Sequence, residues 1–274
     1  MNMKSLNKKT FFIGMSVFAA LGSVAFIQPE YQANSDFKYR NQNNLAFKEG
    51  EKLTFRAHYG IINAAKITME LDASKSKVNN RSVYKSTVEG ATYKSFDWAF
   101  KVRDKFESWV DADAIAPLRY AKSVREDNYT DKDYALYMHD SKKLKNTDGT
   151  LTMPEYTQDI ASALYYARSL DLQNAAVGSS FPINVYLDNT IHNLSFKVIG
   201  RETLKTDIGK IKCIILRPKL VVDRVFKGDD DMTVWVSDDA NKIPIRIKSA
   251  IKVGSIKVDI TGYSGLRNDF SAKI

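Results

Sequence analysis

The sequence predicts a mainly β protein, built as a large antiparallel curled sheet or barrel-like meander with one amphipathic covering helix. Apolar and polar residues alternate along most of the chain after Phe47, and groups of Asn, Asp and Gly separate the alternating stretches. One segment near residue 160 follows helical spacing instead. Of the 274 residues, 44% are hydrophobic and 27% charged. That composition is ordinary for a folded domain and excludes a mostly disordered chain.

The N-terminus has the layout of a secretory signal peptide. Three lysines precede residues 11–27, a run of 17 residues without a charged side chain. Ser23 and Ala25 suit the specificity of signal peptidase, so the expected signal peptide is 1–25, with cleavage after Ala33 as the alternative. An uncleaved anchor is the rival interpretation, because the run approaches the ~20 residues that span a bilayer.

The expected location is outside the cytoplasm, in the periplasm or otherwise associated with the envelope. No cysteine lies near either cleavage point, so a lipoprotein anchor is not expected. The formal net charge is +9. Removal of the three N-terminal lysines would leave about +6, and the basic residues are scattered, so nucleic acid is not an expected partner. No membrane span is expected after signal cleavage.

Residues 26–46 are rich in Asn and Gln and lack periodic apolar positions, so they are predicted to be a polar linker. Residues 47–274 are predicted to form a single β-rich domain. Alternation and turn residues predict strands near 51–59, 62–72, 82–94, 101–110, 115–126, 132–139, 182–188, 191–204, 208–219, 231–237, 243–250 and 253–262. So many strands exceed what an open twisted sheet usually holds, which favours curling.

The exception to the alternating pattern is 157–171. Ile160, Leu164 and Ala167 lie at helical spacing, and Thr157 could serve as the N-cap. The sequence therefore predicts an amphipathic helix that covers an open mouth or concave face of the sheet.

Catalytic and metal-binding signatures are absent from the sequence. A single cysteine, Cys213, and three separated histidines do not supply a zinc site, and no cofactor motif occurs. Residues 229–231 are three aspartates, interpreted as an exposed turn rather than a calcium site. Asp111 and Asp113 could share one strand face and resemble a carboxylate pair, which keeps a glycan hydrolase as a minor alternative.

Aromatic residues supply the candidate ligand contacts. Tyr165 and Arg168 on the predicted helix, together with Trp109 and Trp235 on strands, are the predicted ligand-binding residues, and Trp98 is a further cavity candidate. Core packing explains most of these aromatic residues equally well.

The order of several short motifs resembles a family of exported bacterial proteins, domain of unknown function 3108. The resemblance rests on Phe47-Lys48-Glu49-Gly50-Glu51-Lys52-Leu53, His58-Tyr59-Gly60, Ala163-Leu164-Tyr165-Tyr166-Ala167-Arg168, Gly209-Lys210-Ile211-Lys212-Cys213 and Trp235-Val236-Ser237-Asp238-Asp239 with Pro244. These motifs span about 47–265. Ala65 departs from the family pattern, where glycine is commoner. The composition also resembles chains from the Bacteroidota.

The resemblance implies a β-barrel-like envelope domain with no established catalytic residues. The leading expectation is a non-enzymatic periplasmic protein that binds a lipid-like or glycan-like ligand; the alternative is a module that holds another envelope protein. An apolar cavity would favour the first, and a shallow polar surface with an exposed apolar patch the second. Two inward carboxyls in a cleft would favour the hydrolase. The oligomeric state is left open.

Overall fold

The computed structural model describes residue 34 and residues 36–219, 232–250 and 254–274. The predicted signal peptide and the residues 229–231 lie outside the described residues. The described chain contains one helix, α1 (Ile160–Ser169), and fifteen strands. The strands are β1 (Lys52–Tyr59), β2 (Ile62–Leu71), β3 (Ser76–Val78), β4 (Arg81–Thr92), β5 (Arg103–Asp111), β6 (Pro117–Glu126), β7 (Tyr129–Met138), β8 (Lys143–Asn146), β9 (Thr150–Thr152), β10 (Ser180–Leu187), β11 (Thr190–Thr206), β12 (Gly209–Lys219), β13 (Met232–Ser237), β14 (Pro244–Ala250) and β15 (Ser255–Ser264).

Period-two alternation gives the sheet two chemically different faces. In the helix-side face, successive register partners on β1, β2, β4 and β5 are the apolar residues Leu53, Met69, Val88 and Phe106. The residues three positions away on the same four strands point to the opposite face, and they are Arg56, Lys66, Ala91 and Arg103. We call the second surface the polar face.

All fifteen strands pair antiparallel within one sheet, as predicted. The sheet is not closed by backbone pairing, because β10 ends the strand order on one side and β9 ends it on the other. Side chains nevertheless bring the two ends together: Asn146 Nδ2 on β8 donates to the Tyr186 hydroxyl on β10 at 2.9 Å. Lys122 Nζ on β6 lies 3.2 Å from Oδ1 of Asp188, which follows the last residue of β10. The sheet is therefore curled until its ends touch.

The predicted helix is present but begins later than expected. Asp159, not Thr157, is the N-cap: its carboxylate accepts the backbone N–H groups of Ala161 and Ser162. The Thr157 hydroxyl instead donates to the carbonyl of Pro154. A carboxylate can accept from two backbone N–H groups, and its negative charge is stabilised by the positive, N-terminal end of the helix dipole. Asp159 therefore caps the helix better than Thr157, which explains the later start.

The helix packs its apolar residues against the core as predicted, but its most deeply buried side is the neighbouring one. Ile160, Leu164 and Ala167 are only partly buried, whereas the fully buried positions are Ala161, Ser162, Tyr165 and Arg168. An arginine can occupy the buried side because the Glu51 carboxylate meets it there. Hydropathy alone places arginine on the solvent side.

The predicted turn residues adopt the expected backbone. Asn79-Asn80 and Asp188-Asn189 connect successive strands, and all four residues have positive φ. The short strands β3, β8 and β9 were not predicted. In the sequence, the lysines of Lys143–Asn146 suggest a solvated turn. In the structure this segment is a strand in which Leu144 and Asn146 are buried and the two lysines are exposed.

Part of the predicted linker packs against the sheet. Residues 36–46 have no helix or strand, yet Arg40 Nε donates to the carbonyl of Ala114 at 2.8 Å and Ala46 is fully buried. The folded region therefore includes residues on the N-terminal side of Phe47. That 47–274 is a single domain stays a prediction.

Candidate functional site

A shallow groove lies on the polar face where β15, β1 and β2 meet the loop after β4. Its volume is about 530 Å³. The lining residues are mostly hydrogen-bonding or cationic: Thr54, Phe55, Arg56, Asn63, Lys66, Tyr93, Ser95 and Thr261. We call this depression the Arg56 groove. It has the chemistry to bind a ligand that offers acceptors and negative charge.

The β1–β2 hairpin brings the two cations together. Arg56 and Lys66 are directly opposed in the antiparallel register, so their side chains share one face. Like charges in this position repel each other unless an anion lies between or beside them. Asp207 and Asp259 lie beside Arg56, whereas Lys66 has no ion-pair partner within the described chain, so Lys66 supplies the uncompensated positive charge of the Arg56 groove.

Arg56 is only partly satisfied by the protein. Its Nη2 forms an ion pair with Asp207 at 2.9 Å, and its side chain is 28% exposed. The Nε atom is buried and has no hydrogen-bond partner among the described residues. A buried donor left unpaired costs about 1–3 kcal/mol. Lys66 is exposed and forms no ion pair within the described chain.

Beside the groove, Asp259 is held between Arg246 and His58 on the same face. Arg246 forms a two-pronged ion pair with its carboxylate, with Nη2 at 2.8 Å from Oδ2, and His58 Nε2 lies 3.0 Å from Oδ2. Burial disfavours the charged carboxylate, but these hydrogen bonds outweigh it and lower the pKa of Asp259. His58 Nδ1 also faces the carbonyl of Gly60 at 2.9 Å. Both ring nitrogens of His58 therefore lie within hydrogen-bond distance of a protein oxygen.

One wall of the groove is the loop between β4 and β5, which is fixed to the polar face. Asp97 in this loop accepts a hydrogen bond from the Thr92 hydroxyl at 2.6 Å and pairs with Arg103 at 2.7 Å. The hydrogen bond from Arg103 lowers the pKa of Asp97. Tyr93 N donates to the carbonyl of Ala64 at 3.0 Å, which continues the β2–β4 pairing into the loop. These contacts fix the loop against the sheet, so this wall of the groove is well defined.

Two of the predicted ligand-binding residues lie beneath the helix. Tyr165 and Arg168 are each 1% exposed. The Tyr165 ring packs edge-on against Phe47 with centroids 4.9 Å apart, and Arg168 pairs with Glu51. A ligand could contact either residue only if α1 moved away from the sheet.

The two predicted tryptophans have other polar neighbours, although Trp235 packs at the edge of the core cluster that contains Tyr165. Trp109 is half-buried on the polar face of β5, where the Lys85 ammonium lies 5.3 Å from its ring centroid. Trp235 is half-buried on β13, and its indole N–H donates to Glu202 at 2.5 Å. The structure thus does not assemble the four predicted residues into one cavity. Their role in ligand binding stays a prediction.

Asp111 and Asp113, the carboxylates of the hydrolase alternative, both lie against Arg81. Asp111 is fully buried and forms an ion pair with Arg81, whereas the Asp113 side chain is 75% exposed and lies 3.7 Å from the same guanidinium. A different pair is buried: Asp104 and Glu126 are 4% and 7% exposed. Burial, with a smaller contribution from the neighbouring Glu126, raises the pKa of Asp104 to about 7. Neither residue lines the Arg56 groove.

Sequence reasoning did not single out Arg56 or Lys66. Their alternation within β1 and β2 was visible, but lysine and arginine on the exposed face of a strand are ordinary. Pairing of the two residues depends on the register of the hairpin, which shifts at Ala57/His58. Such an irregularity is not visible in the hydropathy pattern.

Comparisons with known proteins place the chain in a family. The sequence profile described as "Protein of unknown function (DUF3108)" matches residues 54–261. The chain belongs to this family. The DUF3108 match runs from the first strand to the last and includes every residue that lines the Arg56 groove. Among curated proteins, no significant match was found.

Solved structures are similar to this DUF3108 chain at low sequence identity. A β-barrel-like protein of the domain of unknown function DUF1849 from Brucella abortus has a TM-score of 0.54 and 11% identity, covering 80% of this chain and 99% of that one. A protein from Parabacteroides distasonis, provisionally described as a lipoprotein, has a TM-score of 0.35 and 8% identity, with coverages of 83% and 100%. The first likeness supports the barrel-like fold alone.

Within the part of the DUF3108 chain that the structure describes, no helix is long and apolar enough to cross a membrane. The same described residues contain no group of three or more His, Cys, Asp or Glu side chains placed to hold a metal ion.

Proposed function

We propose that this protein is an exported, non-enzymatic binding module of the cell envelope that takes an anionic, hydroxyl-bearing ligand in the Arg56 groove. The signal-like N-terminus supports export. The ligand class is a phosphorylated lipid headgroup or an acidic glycan, since both combine negative charge with hydroxyl groups. This is the lipid-like or glycan-like ligand of the sequence analysis, moved from beneath the helix to the opposite face of the sheet.

The observation that carries the proposal is the Arg56–Lys66 pair. Both cations face the same groove, the Arg56 side chain is 28% exposed, and Lys66 has no ion-pair partner in the described chain. Arginine can hold a carboxylate or phosphate with two parallel hydrogen bonds, and lysine adds a point charge. Thr54, Ser95 and Tyr93 add side chains that can hydrogen-bond to sugar or glycerol hydroxyls.

The surroundings of the groove support a binding role. His58, the imidazole beside it, has both ring nitrogens within hydrogen-bond distance of protein oxygens, on Asp259 and on the Gly60 carbonyl. Its ring is therefore engaged with the protein rather than directed at a ligand.

The test is titration of the purified, exported chain with two probes, glycerol 3-phosphate for a lipid headgroup and an oligogalacturonate for an acidic glycan. Binding is measured by isothermal titration calorimetry and by changes in amide NMR chemical shifts. We expect one of the two probes to bind, with shifts centred on β1 and β2. Lys66→Gln and Arg56→Gln should each weaken binding about five- to tenfold, and higher salt should weaken it further. Shifts spread over the whole surface, or no binding of either probe, would contradict the proposal.

The matched control is Lys132→Gln. Lys132 is an exposed lysine on the polar face of β7, four strands along the sheet from β2, or roughly 20 Å at ~4.8 Å per strand. Its replacement removes the same charge from the same face without touching the groove. Equal weakening by Lys132→Gln and Lys66→Gln would show a diffuse electrostatic effect and no site.

A further inference from the structure

An exposed apolar tip stands next to the Arg56 groove. Ile61 is 98% exposed, Ile62 is 49% exposed and Trp98 is 77% exposed. These three are half of the large apolar side chains that the described residues expose. Side chains this exposed are unfavourable in water unless something else covers them. We call Ile61, Ile62 and Trp98 the apolar tip.

The three residues belong to one end of the sheet. Ile61 and Ile62 form the turn and the start of β2, and Trp98 lies in the β4–β5 loop. The Trp98 indole N–H donates to the carbonyl of Ser95 at 3.0 Å. Ser95 and Asn63, the neighbour of Ile62, both line the Arg56 groove. The apolar side chains therefore flank the rim of the groove.

The loop presents Trp98 in a defined way. Phe100 N donates to the carbonyl of Phe96 at 3.3 Å, so the loop forms a helical turn around Trp98. The turn is tied to the sheet by the Asp97–Arg103 ion pair. Because the indole N–H is already hydrogen-bonded within the loop, the ring can enter a less polar medium without losing a hydrogen bond to water.

Cations surround the tip. Lys94 and Lys101 are exposed at the two ends of the loop and form no ion pair within the described chain, and Lys66 lies in the groove beside them. The nearby acids are largely engaged: Asp97 with Arg103, and Asp207 with Arg56. Asp127 accepts the backbone N–H of Lys101 at 2.7 Å.

We propose that the apolar tip and its cations dock the protein onto an anionic lipid bilayer, with the lipid headgroup entering the Arg56 groove. Tryptophan is favoured at the bilayer–water interface, where its ring is apolar and its N–H is satisfied. Lysines beside an inserted apolar group are attracted to anionic headgroups. This inference rests on the proposed function for the role of the groove and names the source of its ligand.

The shape of the patch favours a bilayer over a protein partner. A stable protein interface buries roughly 800 Å² on each side around an apolar centre. Here the apolar part is confined to three protruding side chains, and polar and cationic groups surround them. A bilayer accepts such a protrusion because its interface deforms around it, and the cations then contact headgroups.

The experiment is vesicle co-sedimentation of the full chain, expressed with its own N-terminus and purified after export. Phosphatidylcholine vesicles are compared with vesicles that also contain phosphatidylglycerol. We expect binding only to the anionic vesicles, with a blue shift of tryptophan emission that Trp98→Phe removes. Trp98→Ser and the double variant Ile61→Ser/Ile62→Ser should each reduce binding at least fivefold, and Lys94→Gln/Lys101→Gln should reduce it similarly.

Val177→Ser is the matched control for the apolar variants. Val177 is 65% exposed and lies in the segment between α1 and β10. Its replacement removes an exposed apolar side chain and should leave vesicle binding unchanged. Because every substituted side chain is exposed, the variants should fold, which circular dichroism verifies.

The outcomes separate this inference from the proposed function. Tip variants that lose vesicle binding but still bind glycerol 3-phosphate support both statements. Binding of glycerol 3-phosphate without vesicle binding overturns the docking inference alone, whereas vesicle binding without glycerol 3-phosphate or oligogalacturonate binding overturns the groove's role alone. A dimer in solution that Trp98→Ser dissociates overturns the docking inference in favour of self-association.

Discussion

Arg168 and Glu51 form a bidentate ion pair that is almost completely removed from solvent. Nη1 lies 2.6 Å from Oε1 and Nη2 lies 2.7 Å from Oε2, and neither side chain is more than 1% exposed. Arg168 Nε also donates to the carbonyl of Asn241 at 3.0 Å. One guanidinium therefore ties α1 to the residue before β1 and to the turn after β13. All partners are satisfied, so the pair specifies how the helix sits on the sheet.

Removing one member of this pair should be strongly destabilising. Arg168→Met or Glu51→Leu would each leave a buried charge without its partner, at a cost of about 3–5 kcal/mol in the free energy of unfolding. The double variant Arg168→Met/Glu51→Leu removes both charges and should recover most of that loss. Urea unfolding followed by circular dichroism measures all three. If the double variant lost as much stability as the two single variants summed, the pair would not be coupled.

The buried Asp104 should make stability depend on pH. Its pKa of about 7 in the folded protein lies well above the value near 3.9 of an unfolded aspartate. The folded state therefore holds a proton that the unfolded state has lost, and stability should fall as pH rises from about 4 to about 7. Asp104→Asn mimics the protonated form and keeps an oxygen for the backbone N–H of Arg125, which now donates to Asp104 at 3.0 Å.

We expect Asp104→Asn to raise the free energy of unfolding by about 1–3 kcal/mol at pH 8 and to change it little near pH 4. Urea titrations at both pH values measure the difference. Asp113→Asn is the control, because it makes the same chemical change at a side chain that is 75% exposed. A gain of equal size at pH 4 and pH 8 would mean that the benefit does not come from the proton.

The sequence predicted the sheet well because alternation and turn chemistry are local signals. The strand β5 shows why: Asp104, Phe106, Ser108 and Val110 are buried, and the residues between them are not. The helix and the packing of its apolar residues were predicted, but its most deeply buried side was not, because the burial of Arg168 depends on Glu51, 117 residues earlier in the chain. The Arg56 groove depends likewise on hairpin register and on a loop from β4, which no local pattern encodes. Long-range partners, rather than propensities, determine both features.

Residues 36–46 should contribute to stability although they form no strand or helix. The Arg40 backbone N–H donates to the Tyr156 hydroxyl at 2.8 Å, and the Arg40 guanidinium lies 4.2 Å from the Tyr156 ring centroid. Arg40→Ala removes the side-chain contacts and should lower the free energy of unfolding by about 2 kcal/mol. Lys38→Ala, an exposed neighbour, should have little effect. Equal stability of both variants in thermal unfolding would mean that this segment is only a linker.

Gly265 should be the least replaceable of the glycines in turns. Its φ is +67°, and a Cβ at this position would overlap the carbonyl oxygen of Gly50 and lie 2.8 Å from its carbonyl carbon. Gly60 is the matched control, because its φ is +55° and a Cβ there would meet nothing within 4 Å. Both alanine variants carry the same cost of positive φ, about 1 kcal/mol, so their difference isolates the clash.

We expect Gly265→Ala to lower the free energy of unfolding by at least about 2 kcal/mol more than Gly60→Ala. The backbone of residue 50 cannot move away easily, because Gly50 N donates to the carbonyl of Asp72 at 3.0 Å and Glu51 next to it holds Arg168. Urea unfolding of the two variants gives the comparison. A triple variant, Gly265→Ala with Arg168→Met/Glu51→Leu, should lose less than the sum, because residue 50 would then be freer to shift. If the losses in the free energy of unfolding were additive, the strain caused by Gly265→Ala would not arise at Gly50.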